Sequence, residues 1–245
     1  FTGRLVAEYL AQQYGIGGDV KWAMAGRSQD KLESVRDIIG APKDTPLITA
    51  DANNAASLAA LVARAKCIIT TVGPYQLYGE SLLAVCAEAG TDYVDLCGEP
   101  SWMAEMIPAY EAKAKASGAR IVFSCGFDSI PSDLGVLFLQ DKAKVKFGHT
   151  LPNVKARVRK MRGTFSGGTA ASFGETMKAA GKNPDLLKVL MNPHALAGGE
   201  GTPQPHAHKP MHDDELGVWL APFIMESINS KNVHRSNALL RGAYG

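Results

Sequence analysis

Through the first half of the chain, apolar runs of strand length alternate with amphipathic segments of helix length, the pattern of βα units around a parallel sheet. The periodicity predicts helices over Arg4–Tyr14, Asp30–Ile39, Ala55–Ala65, Ser81–Ala89 and about Trp102–Ser117. Between them it predicts strands over Val20–Ala25, Leu47–Ala50, Cys67–Val72, Tyr93–Leu96 and Arg120–Ser124. The β-branched run in Cys67–Val72 suits a strand buried on both faces. Gly90 and Gly118 close two of the helices. Asp133–Gln140 opens a further helix, with Ser132 or Asp133 as its N-cap.

The texture changes after about Phe147. Val154–Met161 alternates apolar with basic residues, which predicts a strand with one face in water. The glycine-rich Ser166-Gly167-Gly168-Thr169 precedes a helix-like stretch to Ala180, Pro184–Met191 reads as a short helix, and Gly198–Pro210 reads as a surface loop. The expected organisation is α/β: residues 1–146 form a Rossmann-type parallel sheet lacking its first strand, and residues 147–245 a second, α+β substrate domain.

Composition narrows the partners. With 46% hydrophobic and 20% charged residues among 245, the chain can bury a core. Its 26 basic and 24 acidic residues give +2 and are spread along the chain, which argues against nucleic acid. No apolar run reaches the roughly 18 residues of a membrane span, and no signal peptide is visible, so a cytoplasmic location is expected. Cys67, Cys86, Cys97 and Cys125 form no Cys-x-x-Cys pair and read as buried free thiols. Both ends look cut, and a preceding hydrophobic strand is expected.

Four segments could carry chemistry. Thr2-Gly3-Arg4 is the right-hand part of a glycine-rich strand-to-helix turn, where backbone N–H groups and the helix dipole receive a pyrophosphate. Gly26-Arg27-Ser28 puts an Arg just past the second strand; there it suits a 2′-phosphate, hence NADP, and its alternative is a surface Arg at a turn. Val72-Gly73-Pro74 leaves a strand at its C-terminal end, where backbone can approach a flat ring; an ordinary turn is the alternative. Asp128, after Cys125-Gly126-Phe127, is placed to face a substrate.

These residues carry a resemblance. Phe1-Thr2-Gly3-Arg4, Ala25-Gly26-Arg27, the block from Val72-Gly73-Pro74-Tyr75 through Tyr78-Gly79-Glu80 and Tyr93 to Glu99, and Cys125 to Asp133 resemble the saccharopine dehydrogenase-like oxidoreductases. Ser166 to Thr169, Gly217-Val218-Trp219 and Arg235 to Leu240 are similar to its bacterial branch of trans-acting enoyl reductases. The resemblance implies NADPH-dependent hydride transfer to an unsaturated acyl group, on a small-molecule or carrier-bound substrate, and leaves a homodimer open. Tyr75 and Tyr78 are then candidate donors to the thioester oxygen, or packing aromatics.

Competing readings remain. Saccharopine-type C–N chemistry needs convergent Arg residues, which the chain does not offer. A scaffold protein could keep the dinucleotide fold without turnover. His194, His206, His208 and His212 beside Asp213 and Asp214 fit no standard metal spacing, so no metal is expected.

Overall fold

The computed structural model describes residues 1–162, 167–205 and 209–245. The chain divides into two compact units: residues 1–96 with 108–123, and residues 97–107 with 124–245.

In the first unit the order is α1 (Thr2–Tyr14), β1 (Met24–Gly26), α2 (Gln29–Ile38), β2 (Leu47–Thr49), α3 (Ala55–Val62), β3 (Cys67–Ile69), α4 (Tyr75–Tyr78), α5 (Glu80–Ala89) and β4 (Asp92–Val94). Helix α6 (Pro100–Ser117) is divided between the units at Ile107 and Pro108, and β5 (Ile121–Val122) completes the first. Every ladder here is parallel. β1 pairs with β2, Met24 opposite Leu47. β3 pairs with β4, Cys67 opposite Asp92, and β4 with β5, Tyr93 opposite Ile121.

Among the described residues no ladder joins β1 to β3, so each keeps one unpaired edge. Helix α1 touches both groups of strands. Its Ala7 is buried with Met24 of β1 and Leu32 of α2, while Gly3 lies against Thr71 beyond β3. A second core joins Ala87, Ala114 and Ala119. Gly90 closes α5 in the left-handed conformation at φ 74°, and a Cβ there would meet the Ser117 carbonyl at 2.8 Å, so glycine is required twice over.

The second unit holds α7 (Ile130–Phe147), α8 (Gly167–Lys182), α9 (Pro184–Met191), the antiparallel hairpin of β6 (Met211–Asp213) and β7 (Val218–Leu220), and α10 (Glu226–Leu239). Helix α10 packs on α7, and its polar residues are part of the core. Lys231 is only 2% exposed, and its Nζ donates to the carbonyls of Leu190, at 2.8 Å, and Ser227, at 2.9 Å. That places a cation at the C-terminal end of α9, where helix carbonyls lack partners.

Several expectations change. The strands over Val20–Ala25 and Cys67–Val72 contract to Met24–Gly26 and Cys67–Ile69. Val154–Met161 forms no strand, because Lys155 and Arg157 are drawn into ion pairs with Glu215 and Asp213 instead of a ladder. Helix α7 starts earlier, with Ser129 as N-cap; Ser132 and Asp133 lie within it and bond α10 through Asn229 and Ser236. Cys67 is exposed and Cys125 half-buried, whereas Cys86 and Cys97 are buried. Burial pushes the Cys86 thiol up to about 12. Ser166, His206 and His208 lie outside the described residues.

Candidate dinucleotide site

Helix α1 has thirteen residues, and its N-cap Phe1 contributes no side-chain hydrogen bond. Arg4 and Leu5 reach the Phe1 carbonyl, at 3.2 and 3.4 Å, leaving the N–H groups of Thr2 and Gly3 outside the helical ladder. Gly3 is exposed, and a Cβ there would come within 3.0 Å of Thr71 Oγ1. The helix start is thereby held against the turn that leaves β3. Arg4 is exposed with no side-chain partner among the described residues.

One residue past β1 stands Arg27, exposed and without a hydrogen bond or ion pair among the described residues. Gly26 before it packs tightly, since a Cβ would meet Leu32 Cδ2 at 3.3 Å. Ser28 has the cap role: its hydroxyl accepts the Lys31 N–H of α2 at 3.3 Å. An exposed, unpaired guanidinium suits both a surface Arg at a turn and a group open to a phosphate.

The third segment is divided by burial. Val72 and Gly73 are exposed, Pro74 is buried, and the Gly73–Pro74 peptide is cis. Tyr75 is 3% exposed, and its hydroxyl donates to the Thr70 carbonyl at 3.2 Å and accepts the Leu96 N–H at 3.3 Å. It ties the end of β3 to the chain beyond β4. Tyr78, at the end of α4, is 43% exposed, and its hydroxyl has no partner among the described residues. Asp128 belongs to the second unit, where its carboxylate is exposed and its carbonyl accepts from Asn229 at 2.8 Å.

The residues present fit a dinucleotide. Uncapped N–H groups at a helix start, with no Cβ at Gly3, can receive a pyrophosphate. A free guanidinium at the next strand end can pair bidentately with a 2′-phosphate.

Two features escaped the sequence reading. Thr71, which sets the approach of Gly3, had no local signal. Glu99 is 2% exposed and accepts from Ser172 Oγ at 2.7 Å, both in the second unit; an acid just before a helix was the signal available. The remaining histidines are otherwise occupied: His194 stacks on His234 at 4.1 Å and His212 Nδ1 bonds Asp214 at 2.7 Å. Among the described residues no group of three His, Cys, Asp or Glu is placed to hold a metal, and no helix is long and apolar enough to cross a membrane.

An α/β unit with parallel strands, an open helix start and a free Arg after the second strand of the expected sheet defines a dinucleotide-binding protein. Residues 1–122 match the family of the saccharopine dehydrogenase NADP binding domain. The chain is 44% identical over 255 residues to a Mycobacterium tuberculosis protein provisionally named a trans-acting enoyl reductase. It is 39% and 38% identical over 256 residues to proteins of Mycobacterium bovis and Mycobacterium ulcerans named trans-acting enoyl reductase. Each match covers 100% of this chain and 60% of the relative's length.

Proposed function

We propose that the protein is an NADPH-dependent oxidoreductase that reduces the carbon–carbon double bond of an enoyl thioester. The observation that carries this reading is the unneutralised Arg27 one residue past β1, in the same unit as the open start of α1. Thr2, Gly3 and Arg4 would hold the pyrophosphate, Gly26, Arg27 and Ser28 the ribose 2′-phosphate, and Val72, Gly73 and Pro74 the approach to the nicotinamide. Bound NADPH supplies the hydride. Residues 1–96 with 108–123 serve the nucleotide, and Asp128 is available to the substrate.

Tyr78 is the donor toward the thioester oxygen, where negative charge develops as the double bond is reduced, because its phenolic proton is uncommitted. Tyr75 instead positions the strand ends, its hydroxyl being engaged on both sides.

The test is loss of NADPH absorbance with enoyl thioesters, using the purified protein. Tyr78→Phe is expected to lower kcat by roughly a hundredfold, as for other lost transition-state donors, with NADPH affinity unchanged. Tyr75→Phe is expected to cost about 1 to 3 kcal/mol of stability through groups left unpaired. NADPH binding without turnover of any enoyl thioester would refute the reductase reading in favour of a binding protein.

A further inference from the structure

Charge is less evenly spread than the totals suggest. Between Lys142 and Arg162 there are eight Lys or Arg residues, and no Asp or Glu occurs from Lys142 through Gly174. The end of this run crosses the second unit without regular structure and is pinned along the β6–β7 hairpin. Lys155 Nζ bonds Glu215 Oε1 at 2.6 Å, and Arg157 pairs with Asp213 and with Glu215. Burial works to raise the Asp213 carboxyl, but Arg157 and the N–H groups of Leu216 and Glu215 outweigh it and hold the carboxyl low, so this anchor stays charged.

Past the anchor, Arg159, Lys160 and Arg162 are exposed and have no partner among the described residues. Apolar side chains alternate with them: Val158 is 57% and Met161 66% exposed, and on the hairpin Trp219 is 74% exposed. We propose that residues 158–162 with Trp219 form a docking surface for an acidic protein partner, the carrier domain that presents the acyl chain. The proposal rests on the reading of the substrate as an acyl thioester.

The geometry favours a protein over an anionic membrane. Stable attachment to anionic lipid takes clusters of about four to eight basic residues or an amphipathic helix, whereas this irregular stretch offers three free cations, the other five of the run being in α7 or paired with Glu215 and Asp213. Two guanidiniums can pair bidentately with carboxylates, and Trp219, exposed on the hairpin that anchors the segment, can supply the apolar contact on which protein interfaces concentrate their binding. The ion pairs of Lys155 and Arg157 hold the near end of the segment, which lowers the ordering cost of docking.

The purified protein would be assayed with one enoyl chain presented in two ways, on a purified acidic acyl carrier protein and on a small thiol such as N-acetylcysteamine. R159E/K160E/R162E is expected to raise KM for the carrier-bound substrate tenfold or more, leaving the small thioester and NADPH as in wild type. A control reversing the exposed Arg64, Lys66 and Lys182 should change neither. Equal behaviour of variant and wild type on both substrates would overturn the proposal, as would equal loss on both. Loss of binding to phosphatidylglycerol vesicles with an unchanged carrier KM would also overturn it, assigning the surface to lipid. Anisotropy of a labelled carrier, read without NADPH, separates the two readings: if neither thioester is reduced but the carrier binds wild type and not the variant, docking stands and the reductase reading falls.

Discussion

Arg27 and Ser28 are neighbours with separable effects. If Arg27 holds the 2′-phosphate as proposed, its loss would remove charge-assisted hydrogen bonds worth about 1.5 to 3 kcal/mol, so Arg27→Ala should weaken NADPH about 10- to 100-fold and leave NADH unchanged; titration with both nucleotides checks this. Ser28→Ala should cost about 1 kcal/mol of stability through the lost α2 cap. In the second unit, burial lowers the pKa of His234 below its ordinary 6.5, with His194 and Lys231 adding to the effect. The unfolded chain therefore binds the proton more tightly. The stability contributed by neutral His234 is fully present above about pH 6.5 and is lost as pH falls from there through the lower folded value. Urea midpoints at pH 7.5 and 5.5 should show that fall, and His234→Gln should flatten it. The place of Arg27 just past a strand was legible from the periodicity. Thr71 and Glu99 were not, because their roles depend on Gly3 and Ser172, far away along the chain.

Among the elements, α1 is the most sensitive. Gly3→Ala gains roughly 0.5 to 1 kcal/mol of helix preference but puts a methyl 3.0 Å from Thr71 Oγ1. We expect a nearly unchanged melting temperature and several-fold weaker NADPH binding, with affinity restored in Gly3→Ala/Thr71→Ala; calorimetry on the single and double variants decides. Helices were readable to within a few residues wherever one face was apolar. Strands were overread, because β-branched runs such as Thr70-Thr71-Val72 continue past the residues that have ladder partners. Alternation at Val154–Met161 reported which side chains meet water, but a strand also needs a neighbour, and the hairpin offered Asp213 and Glu215 instead. Helix α10 was unread because its sequence is polar; its place depends on buried Asn229 and Lys231 bonding to other segments.

For the molecule as a whole, the α/β class and the dinucleotide unit were legible from periodicity and spacing, while the two-part sheet was visible only in the pairing. β1 pairs with β2, and β3 with β4 and β4 with β5, as separate parallel groups among the described residues. The charge asymmetry of the second unit was hidden by a net charge near zero. Its irregular basic stretch also has a bearing on digestion. Trypsin cleaves after Lys and Arg where the backbone is accessible and free of regular structure, and Arg159, Lys160 and Arg162 meet both conditions. Lys231 meets neither, lying inside α10 with its ammonium lodged between two carbonyls. A timed digest followed by mass spectrometry should yield first the fragments ending at Arg159, Lys160 or Arg162, and peptides ending at Lys231 only after the second unit has opened.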